Sequence, residues 1–170
     1  MPNVHLEVLT ERYVHNENFL VVNHDIAAIN RLLAELTKDP KDPHKKLPFI
    51  RDRLELLEIV KQGNLRLVVA RDLEKNRYDE LSLVGMATIH WHKLPTKVNA
   101  YIDDVVVLAD DKYRGKGIGK KLTLELIKIA KEACANCIDL TSNPTRTEAN
   151  GLYQKLGFEK KDTNYYRLKL

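Results

Sequence analysis

An α/β domain is what this sequence predicts, on three observations. Apolar runs of strand length, Leu65–Ala70, Leu81–His92 and Asn99–Leu108, share the chain with segments whose apolar residues recur every three or four positions. The run Val105-Val106-Val107-Leu108 leads into the glycine-studded turn Tyr113-Arg114-Gly115-Lys116-Gly117-Ile118-Gly119-Lys120 and then into the clearest helical pattern of all. A length of 170 residues, 44% of them hydrophobic, is enough for one sizeable core and short for two, so residues 1–170 are expected to form a single domain.

In chain order, Val4–Leu9 alternates loosely and Phe19–Val22 is a second short apolar run; either can supply the first strand. Asn23 or Asp25 can cap a helix in which Ile26, Ile29, Leu32, Leu33 and Leu36 recur up to Thr37. Two prolines and six charges make Lys38–Lys46 an exposed loop. A second helix follows over Phe49–Gln62, with Ile50, Leu54, Leu57 and Ile59 or Val60 inward, and Gly63-Asn64 stops it. Leu65–Ala70 is a strand, Asp72–Glu80 a charged hairpin turn, and Leu81–His92 the returning strand, with Gly85 at a bulge or close approach. Asn99–Leu108 is a valine-rich central strand. After the glycine turn, Ile118, Leu122, Leu126, Ile129, Ala130 and Ala133 line one helix face and Lys121, Glu125, Lys128 and Glu132 the other. Ile138–Thr141 is a short strand and Asn143-Pro144 a turn. Thr147–Leu156 is a short helix capped by Thr147 or Thr145 and ended by Gly157. Phe158–Lys161 and Tyr165–Leu170 read as two closing antiparallel strands.

The formal charge of +4 and pI of 9.0 do not point to nucleic acid, because the basic residues are spread along the chain among 24 acidic ones. A small polyanion explains the local excess at Arg114, Lys116 and Lys120 equally well. No apolar run approaches the roughly 18 residues of a membrane span, and Met1–Glu11 has no signal-peptide pattern, so no membrane partner and a cytoplasmic location are expected. The only cysteines, Cys134 and Cys137, provide neither a disulfide framework nor a zinc site; they read as structural thiols, and no metal is expected.

A strand that enters a helix through glycines presents unpaired N–H groups at the positive end of a helix dipole, which is an anion site. A phosphate-binding Walker A loop fails on the letters, because Lys121 stands where its hydroxyl should be. A Rossmann fingerprint fails because Lys120 stands where its third glycine should be.

The run Ile102–Lys120, followed by Leu140-Thr141-Ser142-Asn143 and by Glu148–Phe158, resembles the GNAT superfamily of acetyl-coenzyme A dependent N-acetyltransferases. The resemblance is strong over Tyr101–Phe158 and looser before Leu65, and residues 1–18 look like an N-terminal extension. It implies an α+β fold whose mixed, mostly antiparallel central sheet is splayed between its fourth and fifth strands, with helices on both faces. It also implies acetyl-CoA as co-substrate and a small-molecule or peptide amine as acceptor, in a monomer or homodimer. By the same resemblance, Gly115, Lys116, Gly117, Ile118, Gly119 and Lys120, with Arg114, cradle the coenzyme pyrophosphate. Val105, Val106 and Val107 pair with its pantetheine arm, and a main-chain N–H of Val106 or Val107 stabilises the oxyanion. Asn143 and Asn150 join the coenzyme contacts, and Tyr153 takes the position of general acid and sulfur contact.

The base is read from the residues themselves. Asp103 and Asp104 interrupt an apolar strand, and a buried strand tolerates a carboxylate only beside a cavity or a partner. By alternation the two face opposite ways, Asp103 sharing a face with Tyr101 and Val105. Asp103 is the candidate base and Asp104 is expected to pair with a basic residue; His90 and His92 are runners-up. Two other functions stay open: acetylation of a protein N-terminus or lysine, and a non-catalytic acyl-CoA sensor.

Overall fold

The computed structural model describes residues 1–17, 19–37 and 50–168. Its five-stranded sheet runs in chain order through β1 (Val4–Leu9), β2 (Leu65–Asp72), β3 (Leu83–Lys93), β4 (Val98–Val107) and β5 (Cys137–Leu140). The first three pairings are antiparallel and β4–β5 is parallel, so the sheet is mixed and mostly antiparallel, as expected. Helices α1 (Glu11–Asn16), α2 (Phe19–Thr37) and α3 (Arg53–Val60) cover one face, and α4 (Ile118–Glu132) covers the other. A last helix, α5 (Thr147–Lys155), follows β5.

Strand alternation separates two cores. Along β2, Leu67 and Val69 pack toward α2 and α3, while Val68 and Ala70 pack toward α4. Burying side chains of this size stabilises the fold by about 1.5–3 kcal/mol each for the larger ones. Gly85 on β3 is a close-approach point, since a Cβ there would lie 3.1 Å from the Val106 carbonyl and 3.2 Å from Leu122.

A buried polar cluster ties the first elements to the sheet. Arg71 donates to both carboxylate oxygens of Asp25, at 3.1 and 2.8 Å, and to Ser82 Oγ at 2.8 Å. It also reaches Glu7 on β1, and the Tyr13 hydroxyl of α1 donates to the same Asp25. Burial and Asp25 together push the Tyr13 hydroxyl well above its usual range. Residues ahead of Phe19 are therefore built into the sheet and core, where Leu9 and Val14 are fully buried.

Several expectations are corrected. Phe19–Val22 opens α2 instead of forming a strand, because Val22 continues the buried stripe of Ile26, Ile29 and Leu32 at helical spacing. Asn23 and Asp25 thus lie inside the helix, and Asp25 serves the Arg71 cluster instead of capping. In α3, Asp52 is the N-cap, accepting from the Glu55 N–H at 3.0 Å, and Leu56 and Val60 face inward while Leu54 is exposed. Arg146 occupies the N-cap of α5 without a side-chain cap bond, since Thr145 is engaged by Asn143. Residues 158–168 form no strand: Glu159–Asp162 are all exposed and polar, and Tyr165, Tyr166 and Leu168 have no face to bury against. The loop Lys38–Lys46, Phe49 and the last two positions lie outside the described residues.

Candidate active site

β4 ends where Leu108 donates its N–H to the Val84 carbonyl at 2.9 Å. Asp110 then turns the chain, its carbonyl accepting from the N–H groups of Tyr113 and Arg114 at 2.9 and 2.8 Å. Tyr113 pins this turn from inside: its buried hydroxyl donates to the Asp72 carboxylate at 2.8 Å, and Lys112 Nζ donates to the same oxygen at 3.0 Å. Burial, with the neighbouring carboxylate, pushes the Tyr113 hydroxyl up to about 12.

Gly115 and Gly117 follow with φ of +68° and +78°, a left-handed conformation that costs a residue with a Cβ about 1–2 kcal/mol. Gly117 is the N-cap of α4 and offers no side-chain cap. The first bond of the helix is Lys121 N–H to Gly117 carbonyl at 3.0 Å, so the N–H groups of Ile118, Gly119 and Lys120 precede it and point out of the helix end. Lys116 differs, because its N–H is engaged by the Tyr113 carbonyl at 3.4 Å. The side chains of Arg114, Lys116 and Lys120 are exposed beside these donors. Three free N–H groups at a helix end, flanked by three cations, suit a pyrophosphate.

The strand leading to this turn has a free edge. β4 pairs with β5 from Asn99 opposite Cys137 to Ile102 opposite Leu140, and no further. From Asp103 to Val107, among the described residues, it pairs only with β3, so its other main-chain groups are available to an extended ligand.

At the same place β4 carries a bulge. Thr88 stands opposite Asp103 and Met86 opposite Val106, leaving Asp104 and Val105 against a single residue of β3. Asp104 is the inserted residue, with φ of +50°. Alternation is therefore broken, and the expectation that the two carboxylates face opposite ways is overturned: Asp103 and Asp104 line the same recess, while Val105 packs toward α4. Among the described residues Asp104 has no basic partner; its carboxylate accepts from the Thr88 hydroxyl at 3.1 Å. Burial, with Asp103 adding to it, raises its carboxyl above the ordinary range. Asp103 instead meets His90, Oδ2 to Nδ1 at 3.0 Å, and His90 and His92 both stack on Tyr101, with ring centres 5.4 and 5.5 Å apart.

The recess has a volume of about 360 Å³. Thr88, His90, Asp103 and Asp104 form its polar wall; Ile29 and Leu33 of α2, Ile59 of α3, Leu65 and Leu67 of β2 and Met86 of β3 are among its apolar residues. Among the described residues, no group of three or more His, Cys, Asp or Glu side chains is arranged to hold a metal ion.

Tyr153 lies on α5, half-buried and edge-on to Phe158 at 5.8 Å. Burial raises its hydroxyl above the usual range, partly offset by Arg146. Its helix meets the glycine turn, since a Cβ on Gly119 would lie 3.6 Å from Leu152 and 3.8 Å from Val107. Asn150 donates to the Asn143 carbonyl at 3.0 Å, so these two residues brace the loop between β5 and α5.

A strand parted from its parallel neighbour, running into a glycine turn at a helix N-terminus, is the layout the sequence resemblance implied. The model of the acetyltransferase (GNAT) family matches residues 29–158. The chain belongs to that family. No curated protein matches it in sequence. Among solved structures, an acetyltransferase of Trypanosoma brucei is similar at 23% identity and TM-score 0.69, over 99% of this chain and 100% of that one. An aminoglycoside acetyltransferase from an uncultured soil metagenomic sample, in complex with trehalose, shows 21% identity and TM-score 0.69 over 98% and 97% of the two chains. A ribosomal-protein-alanine N-acetyltransferase from Brucella melitensis shows 19% identity and TM-score 0.62 over 98% and 99%. These likenesses are of fold. Within this GNAT chain, sequence reasoning missed the buried anchor Asp72 and placed His90 only as a runner-up. Asp72 closes a strand of eight residues and offers no local signal; the adjacent pair Asp103-Asp104 was the one visible hint of the bulge.

Proposed function

We propose that this chain transfers the acetyl group of acetyl-coenzyme A to a primary amine by direct attack in a ternary complex. One observation carries the reading: the unpaired stretch of β4 meets the N–H-rich turn at one end and the carboxylate-lined recess at its bulge. On the coenzyme side, the N–H groups of Ile118, Gly119 and Lys120 and the charges of Arg114, Lys116 and Lys120 hold the pyrophosphate. Gly115 and Gly117 set the turn, and the main chain of Val105–Val107 pairs with the pantetheine amides. Asn143 and Asn150 shape the β5–α5 loop that borders this side. Acetyl-coenzyme A supplies the activated thioester carbonyl.

On the acceptor side, Asp103 and Asp104 attract the ammonium, which must lose a proton before it can attack. Asp103, in contact with His90, takes that proton. The amine lone pair forms the new C–N bond, and a main-chain N–H of Val106 or Val107 carries the oxyanion. When the C–S bond breaks, the Tyr153 hydroxyl gives its proton to the departing thiolate, and the second proton, shed by the nitrogen as it becomes an amide, restores the Tyr153 hydroxyl. Burial, which raises that hydroxyl, keeps it protonated at neutral pH. The products are the N-acetylated amine and coenzyme A.

A peptide acceptor calls for an open groove along the strand, whereas a recess of about 360 Å³ suits a small amine. The test is thiol release from acetyl-coenzyme A by the purified protein with a panel of amines. Tyr153→Phe should lower turnover roughly 100-fold or more while leaving coenzyme affinity within about twofold. An unchanged rate removes Tyr153 as the acid, and tight coenzyme binding without release on any amine makes the protein a sensor.

A further inference from the structure

The recess at the bulge sorts its chemistry by wall. The hydrogen-bonding groups all sit on the β3–β4 side, and two of them are already engaged: the Thr88 hydroxyl by Asp104 and His90 Nδ1 by Asp103. What remains for a ligand is the Nε2 of His90 and carboxylate oxygen, which accepts from N–H donors and repels anions. The opposite wall, with Ile29, Leu33, Ile59 and Leu67, is aliphatic, and no Lys or Arg is among the described residues that line the recess. The volume of about 360 Å³ is room for roughly a dozen water-sized groups at about 30 Å³ each.

We propose, resting on the acetyl-transfer reading above, that the acceptor is a compact primary monoamine with an apolar arm and no carboxylate or phosphate. Its ammonium sits at Asp103 and Asp104, and its arm lies along Ile29, Leu33, Ile59 and Leu67. An α-amino acid fails at this site because its carboxylate meets two others and, among the described residues, no Lys or Arg. A polyamine fails because its second ammonium is pressed against the aliphatic wall, where it would be buried without a partner. A polyhydroxylated amine fails because that wall offers its hydroxyl groups nothing to bond.

The experiment compares kcat/KM for 2-phenylethylamine, hexylamine, phenylalanine, phenylalaninamide, spermidine and kanamycin, following thiol release. Ligand-detected NMR measures 2-phenylethylamine binding independently of turnover. Phenylalanine differs from 2-phenylethylamine by one carboxylate, so it should fall by about tenfold or more, and phenylalaninamide should recover most of that loss. Hexylamine should exceed spermidine and kanamycin by a similar factor. In Ile59→Glu, which adds an anion to the aliphatic wall, 1,6-diaminohexane should gain on hexylamine relative to the unaltered protein. Phenylalanine, spermidine or kanamycin turned over as well as 2-phenylethylamine overturns the acceptor assignment and leaves acetyl transfer standing. Binding of 2-phenylethylamine without thiol release supports the recess assignment and overturns the transfer reading. Neither binding nor release with any of these amines overturns both.

Discussion

Asp72→Asn tests whether the glycine turn Arg114–Lys120 is held from beneath. The carboxylate is fully buried and accepts three hydrogen bonds: from the Tyr113 hydroxyl at 2.8 Å, Lys112 Nζ at 3.0 Å and the Glu74 N–H at 3.0 Å. Asparagine keeps the oxygen facing Glu74 but presents an NH₂ to the other two donors. The buried bond to Tyr113, made to a charged group, accounts for about 1.5–3 kcal/mol. Lys112 is 44% exposed, so solvent screens its share. The expected loss at pH 7 is therefore about 1.5–3 kcal/mol, a fall in Tm of roughly 5–10 °C for a chain of this size. Burial alone would push the Asp72 carboxyl up, but the bonds from Tyr113, Lys112 and the Glu74 N–H outweigh it and hold it below the usual carboxylate range. A lowered folded-state value gives stability that is present above the unfolded value near 4 and is lost as pH falls through the folded one. Urea denaturation of both proteins from pH 7 to pH 3.5 should show the gap closing below about pH 4. Coenzyme affinity should fall as well, because Arg114–Lys120 start at the residue after Tyr113. A gap that stays constant across that range, or no gap at pH 7, would refute the anchoring argument.

Gly117→Ala should cost about 1 kcal/mol in thermal or urea denaturation and weaken coenzyme binding by calorimetry, because φ of +78° is unfavourable for alanine although a Cβ would meet nothing within 4 Å. Gly151→Ala, in α5 with equally open surroundings, should instead raise stability by about 0.5–1 kcal/mol, so a loss at both sites would point to a cause other than the left-handed turn. Asp104→Asn preserves the shape and suits the φ of +50°, while removing a carboxyl that burial holds above its usual range. A raised folded-state value means the carboxyl favours the fold while protonated and opposes it as pH rises. The variant should match the unaltered protein near pH 4 and become relatively more stable toward pH 8, with weaker amine binding; equal pH profiles would contradict this.

The parts of the site made from neighbours in sequence were legible in the letters. Val105–Lys120 announces strand, turn and helix because each glycine and each apolar repeat acts within a few residues. The parts made across the sheet were not. His90 reaches Asp103 through the β3–β4 register, and Asp72 reaches Tyr113 from the far end of β2; neither distance is encoded locally. Phe19–Val22 misled because four apolar residues fit either period until the buried stripe from Val22 to Leu32 decides between them. The closing strands misled in the opposite sense: Phe158 and Tyr165–Tyr166 suit strands by residue type, but the polar residues between them leave no continuous apolar face.

The residue inserted at Asp104 gives β4 a change of parity. Odd positions before it, Tyr101 and Asp103, look toward the recess side; odd positions after it, Val105 and Val107, pack under α4. Pairing β4 with β3 residue for residue, without the bulge, would exchange the walls for that half of the strand, moving Val106 toward α4 and Val105 toward the recess, whereas deleting Asp104 would leave Val105 opposite Ala87 and both valines on the faces they hold now. In this protein the two faces of β4 are thus assigned by the place of one inserted residue, and a change that irons out the bulge would disturb them more than most changes of identity.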